Sequence, residues 1–251
     1  MRQLPHFGIP ALGILGFVLL ASCVPRPPQP LPGEPAVVDL GWYATARDGT
    51  VYAVMPERSS LEIRTGRAGA LKHLGHNHVI TTRALDGLVF LGRDRSRSRA
   101  DLWVDVESFV VDDPAARAAA GAGFESEPSQ ADIDGTRANM TGHAVLDAAH
   151  HPRIAASITP LDVPPGTASV TAALQLRGVV HRVPVSARWH VEGDSLVVEA
   201  ELEVAQSSFG ITPFAALGGA LRIADELHIF VTVVAKPADA EAGARHPPAS
   251  R

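Results

Sequence analysis

The chain has 251 residues, 46% of them hydrophobic, and a formal net charge of −5. The mild acidity argues against a nucleic-acid binder, and the single cysteine excludes an internal disulfide. About 200 residues remain between two low-complexity ends, enough for one domain with a real core. Charge is uneven along the chain: residues 64–99 are basic and residues 101–137 are acidic. The bland reading, solvated strand faces and loops, fits this better than a nucleic-acid patch.

Arg2 precedes an apolar stretch from Ile9 to Ala21, and no acid appears before Glu34. The stretch is shorter than the ~20 apolar residues a membrane-spanning helix needs. A charged start, a short apolar core and small residues at its end describe a secretory signal over residues 1–22. Leu20-Ala21-Ser22-Cys23 resembles the lipobox of bacterial lipoproteins. That resemblance implies cleavage before Cys23, a diacylglyceryl group on its thiol and palmitate-type acylation of the new amino terminus. Several acyl chains, at ~0.8 kcal/mol per buried methylene, hold a protein on a bilayer. Val24, where an Asp is read as a retention signal, favours the outer over the inner membrane. The expected location is thus the cell envelope, facing the periplasm. Residues 24–36, VPRPPQPLPGEPA, read as an extended tether, and the tether is taken to end at residue 48. Residues 237–251 read as a disordered tail.

Between them the chain is dominated by short β-type runs. Residues 51–55 and 60–65 alternate loosely about Pro56, and residues 78–82 and 85–91 flank a short break. In residues 101–106, Leu102, Val104 and Val106 share one face with Asp101 and Asp105 opposite. The alternation is clearest in residues 196–204, where Leu196, Val198, Ala200, Leu202 and Val204 oppose Val197, Glu199, Glu201 and Glu203. A period of two with one wet face is the mark of a strand. Residues 168–176 and 182–191 read as a hairpin turning near Gly178, and residues 226–235 as a strand apolar on both faces. Helix signals are few. Asp113-Pro114 caps a short Ala-rich segment to about Ala120, and residues 128–140 form a second helix. Many antiparallel strands with one or two short helical inserts predict an all-β barrel or sandwich over residues 49–236.

The order of local motifs narrows this. Tyr52-Ala53-Val54, residues 102–108 (LWVDVES), Met140-Thr141-Gly142 with Val145-Leu146-Asp147, residues 174–185 (LQLRGVVHRVPV) and Ser208-Phe209-Gly210-Ile211 together resemble the YceI-like family. The resemblance spans about residues 50–235. It implies an extended, eight-stranded antiparallel barrel of lipocalin-like shape, whose apolar interior binds a polyisoprenoid or an isoprenoid quinone. Two departures mark a histidine-rich branch: residues 73–78 (HLGHNH), where small residues are usual, and His150-His151, where an aromatic is usual.

The chemistry-bearing residues are weighed against that frame. On a strand, His76 and His78 share a face, so they are candidates for contact with a ligand's polar end at the cavity mouth. The alternatives are a metal- or haem-linked redox or stress-response centre using His73, His76 and His78, or ordinary hydrogen-bonded histidines. Phe209 and Phe214, flanking Gly210 and Pro213, are candidates for a cavity wall or gate, with core packing as the alternative. Phe90, Trp103 and Phe230 are large side chains weighed the same way and included among the ligand contacts. His150-His151 reads as a solvated turn, and His228 as a core or rim histidine. There is no G-x-S-x-G element and no phosphate-binding glycine loop, so neither an enzyme nor a cofactor is expected. The expected partners are an apolar lipid and the membrane under the anchor. No residue fixes the oligomeric state, and a homodimer stays open.

Overall fold

A computed structural model describes residues 38–238. The signal, Cys23, residues 24–37 and the tail beyond residue 238 lie outside the described residues.

Twelve strands build the sheet: β1 (Gly49–Val54), β2 (Ser60–Ala68), β3 (His78–Thr82), β4 (Asp86–Gly92), β5 (Arg99–Asp105), β6 (Val110–Val111), β7 (Arg153–Ile158), β8 (Gly166–Leu176), β9 (Val179–Glu192), β10 (Ser195–Ala205), β11 (Ala215–Ala216) and β12 (Leu221–Pro237). The pairing order β1-β4-β5-β7-β8-β9-β10-β12 closes on itself through β1 and β12. All these pairs are antiparallel. β2, β3 and β6 extend three of the staves rather than adding new ones. β1 and β2 run along successive parts of β12, interrupted by the single helical turn Pro56–Arg58. β3 pairs β2 while β4 pairs β1, and β6 pairs β3 while β5 pairs β4. The result is a closed eight-stranded barrel in which the first three staves are each broken into two strands and the last five are continuous. This is the architecture expected from the sequence.

The unbroken staves follow from local rules. β8 and β9 join through Arg177-Gly178, both with positive φ (52° and 73°), the backbone of a two-residue hairpin turn. In β10, Leu196, Val198, Ala200, Leu202 and Val204 all face the barrel interior, with the three glutamates outside. β7 is the strand that sequence alternation missed: it begins just after His150-His151-Pro152 and pairs β5 and β8.

Three α-helices lie on the barrel, one more than expected: α1 (Leu40–Thr45), α2 (Pro114–Ala120) and α3 (Gln130–Thr141). The additional one is α1, and it corrects the tether boundary, because residues 40–45 are packed on the barrel. Tyr43 is buried, its hydroxyl donates to the Leu88 carbonyl oxygen (3.0 Å), and the Trp42 ring meets Phe90 edge-on (5.3 Å). Burial, reinforced by the Asp101 charge, pushes the Tyr43 phenol well above its ordinary range. α2 is capped by Asp113, whose carboxylate accepts from the Ala116 N–H, with Pro114 in its first turn. α3 opens on a capping box between Ser129 and Asp132. Arg137 then ties it to the sheet through the Phe109 and Glu107 carbonyl oxygens.

Candidate functional site

The barrel encloses a cavity of about 570 Å³, within the usual range for small-molecule sites. Its wall is largely aliphatic. β10 supplies the five residues already named, β12 supplies Leu227, Ile229, Val231 and Val233, and β9 supplies Val183, Val185 and Ala187. One end is packed shut by Leu85, Val89, Ala100, Trp189, Leu196 and Val233. The other end reaches the surface. There the wall includes Leu74 and Phe214, both exposed, together with Arg67, Leu221, Arg222 and the inner face of α3.

Polar groups gather at this mouth. His78 sits at the start of β3, directly opposite Thr65 of β2, and both line the cavity. Cβ atoms of directly opposed residues lie ~5 Å apart, so the two side chains are neighbours. The His78 Nδ1 is 2.6 Å from Asp112 Oδ2, and the other Asp112 oxygen accepts from the Val79 N–H and from Arg117. Arg117, itself buried, also donates to the Asn77, Phe124 and Ser126 carbonyl oxygens. Burial pushes the Asp112 carboxyl up, but the hydrogen bonds from His78, Val79 and Arg117 outweigh it and hold the group below the ordinary carboxylate range. An ionised carboxylate only accepts, so the proton of this contact is on Nδ1. The other ring nitrogen, His78 Nε2, has no hydrogen-bond partner among the described residues. The Thr65 hydroxyl is buried and likewise unpartnered. A ligand's polar end would complete both.

The sequence-predicted residues divide. His76 and His78 both line the mouth, with ring centroids 6.5 Å apart; His76 Nδ1 is occupied by Ser126 Oγ (3.2 Å). Phe214 is at the rim. Phe90, Phe209 and Phe230 are corrections. Phe90 points outward and is buried under α1 with Tyr43 and Leu88. Phe209 packs with Val106, Leu146 and Ile211, edge-on to His181, and does not line the cavity. Phe230 is on the outer face of β12 beneath the Arg64 guanidinium (4.6 Å). Trp103 touches the cavity boundary beside Ala155, yet Val38, Leu40, Ala173 and Val180, which pack against the pair, do not line the cavity. His73 is exposed, and it does not join His76 and His78 in a metal-ligating group among the described residues. His228 is exposed and paired with Glu203 (3.1 Å), not in the core. The sequence reading did not single out Thr65 or Trp189. Thr65 was legible only as the cross-strand partner of His78. Trp189 lines the closed end with its indole N–H buried and unpartnered.

The YceI-like domain family matches residues 52–235. The chain belongs to that family. Among solved structures, BcnA of Burkholderia cenocepacia is 16% identical, with a TM-score of 0.51, covering 72% of this chain and 98% of its own. A polyisoprenoid binding domain from Saccharophagus degradans, implicated in plant cell wall breakdown, is 13% identical, with a TM-score of 0.49, covering 75% of this chain and 99% of its own. The likeness to BcnA shows the fold. No curated protein matches the chain. This YceI-like barrel is thus a closed shell around an apolar tube that opens at one polar mouth, a shape suited to an apolar ligand.

Proposed function

We propose that the protein is a cell-envelope lipoprotein, anchored at Cys23, that carries or stores one long-chain isoprenoid, either a polyisoprenoid or an isoprenoid quinone, without catalysing a reaction. The observation that carries this reading is the largely aliphatic tube of about 570 Å³ whose polar side chains, apart from the Trp189 indole N–H at the closed end, gather at the mouth. Apolar surface leaving water gains about 25 cal/mol per Å², so a slender hydrocarbon chain is the occupant the wall favours. Its polar end belongs at the mouth, where His78 Nε2 and Thr65 Oγ1 lack partners. The exposed Leu74, Phe214 and Leu217 beside that mouth offer an apolar rim over which a lipid can pass. The lipobox-like segment and Val24 support an outer-membrane address, and the proline-rich tether gives the barrel reach.

Native mass spectrometry with lipid extraction, on the full chain purified from bacterial membranes, tests the carrier reading. The expected result is about one isoprenoid per protein, lost in Ala200→Trp, which fills the lumen and leaves the circular dichroism of the barrel unchanged. A wild-type protein that stays empty after exposure to polyisoprenoids would overturn it.

A further inference from the structure

A second group of histidines lies in the loop between α3 and β7. His143 Nδ1 is 3.1 Å from one oxygen of Asp147, and His150 Nδ1 is 2.9 Å from the other. The three ligand atoms lie within 4.8 Å of one another. A tetrahedral ion with bonds of ~2.0–2.1 Å holds its donors about 3.3 Å apart, so small side-chain rotations suffice to seat one. Two imidazoles and one carboxylate, with a fourth position left to water, make a donor set for a borderline divalent transition ion rather than for calcium or magnesium.

The loop is built to hold this arrangement. The Asp147 N–H donates to the Gly142 carbonyl oxygen (2.9 Å), and the Asp147 carbonyl oxygen accepts from the His150 and His151 N–H groups (3.0 and 2.8 Å). Leu146 is buried in the core, and Leu146 and Val145 line the cavity wall, pinning the loop from below. Asp147 adopts a positive φ of 50°, which Asp tolerates better than most residues. Its side chain is largely buried, whereas those of His143 and His150 are 84% and 73% exposed. Two exposed, flexible imidazoles therefore converge on one fixed carboxylate.

We propose that His143, Asp147 and His150 form a binding site for one divalent transition-metal ion of the zinc class. The site is on the outside of the barrel, independent of the lipid reading and separate from the histidines of the mouth.

Zinc uptake by the full chain, stripped with chelator and dialysed, tests the proposal by calorimetry and by metal analysis. About one zinc per chain at micromolar affinity is expected. The His143→Ala/His150→Ala double variant should lose at least tenfold in affinity, while His73→Ala/His228→Ala, at exposed histidines elsewhere, retains it. Because the two loop histidines are exposed, their removal should leave the far-ultraviolet circular dichroism unchanged, so lost binding is not lost folding. A wild-type protein that takes up no stoichiometric zinc, or zinc binding unchanged in the loop variant, would overturn the site. Equal loss in the His73/His228 variant would do the same.

Discussion

The two histidine groups are chemically alike and physically opposite. At the mouth, His78 is buried, its carboxylate partner Asp112 is fully buried, and a buried arginine completes the charge balance. In the α3–β7 loop, the two histidines are in water and only the carboxylate is held in place. A histidine locked to a buried Asp–Arg pair has one ring nitrogen left and no freedom to swing. It suits a fixed hydrogen-bonding role toward a ligand. Histidines that can rotate about a fixed acid suit a metal. Burial and freedom, more than residue type, separate the two roles.

The largest test of this contrast is Asp112→Ala. It leaves the Arg117 guanidinium buried without its anion and should cost about 3–5 kcal/mol in urea unfolding. Asp147→Ala should cost far less, because its partners are solvated. Equal losses would erase the distinction.

Acid unfolding sharpens it next. The unfolded Asp112 carboxyl titrates near its ordinary value of ~3.9, and the folded one lower. Its contribution is therefore complete above about pH 4 and is lost as pH falls through the folded value. Urea midpoints measured from pH 5 downward should fall steeply in the wild type. In Asp112→Asn they should start lower and fall less.

A smaller effect is expected from Thr65→Val. It removes a buried hydroxyl that has no partner, so the ligand-free protein should be as stable or slightly more stable. Retention of a lipid whose polar end hydrogen-bonds should weaken by roughly 1 kcal/mol, about fivefold. Dissociation followed with a fluorescent isoprenoid analogue checks this, and unchanged retention would place the polar end elsewhere. The smallest effect is that of His143→Ala/His150→Ala on the metal-free protein, within about 0.5 kcal/mol of wild type as for ordinary surface changes. A larger loss would make the loop histidines structural.

Much of this was legible one strand at a time. The alternation of residues 196–204 separates a wet face from a dry one, and the dry face is the cavity wall. The turn at Gly178 and the caps at Asp113 and Ser129 carry their own local chemistry. Parity fails where both faces are apolar. Phe90 and Leu88 face outward and Val89 and Leu91 inward, but α1 covers the outer face, so hydrophobicity alone does not tell the sides apart. The same holds for Phe230, sheltered by Arg64.

What the sequence by itself determined is the set of local decisions: strand periods, turns, caps, and a family order of motifs that implies an eight-stranded barrel. Tertiary structure alone decided which apolar side chains see the lumen. It also decided that α1 is a roof rather than tether, and that His78 meets Asp112, Arg117 and Thr65 at the mouth. His143, Asp147 and His150 lie close in sequence, yet it is the loop, pinned by Leu146 in the core, that turns both rings onto one carboxylate. The physical reason is common to all these cases. Periodicity reports the geometry of a few neighbouring residues, whereas burial and partnership depend on what distant segments bring to cover them.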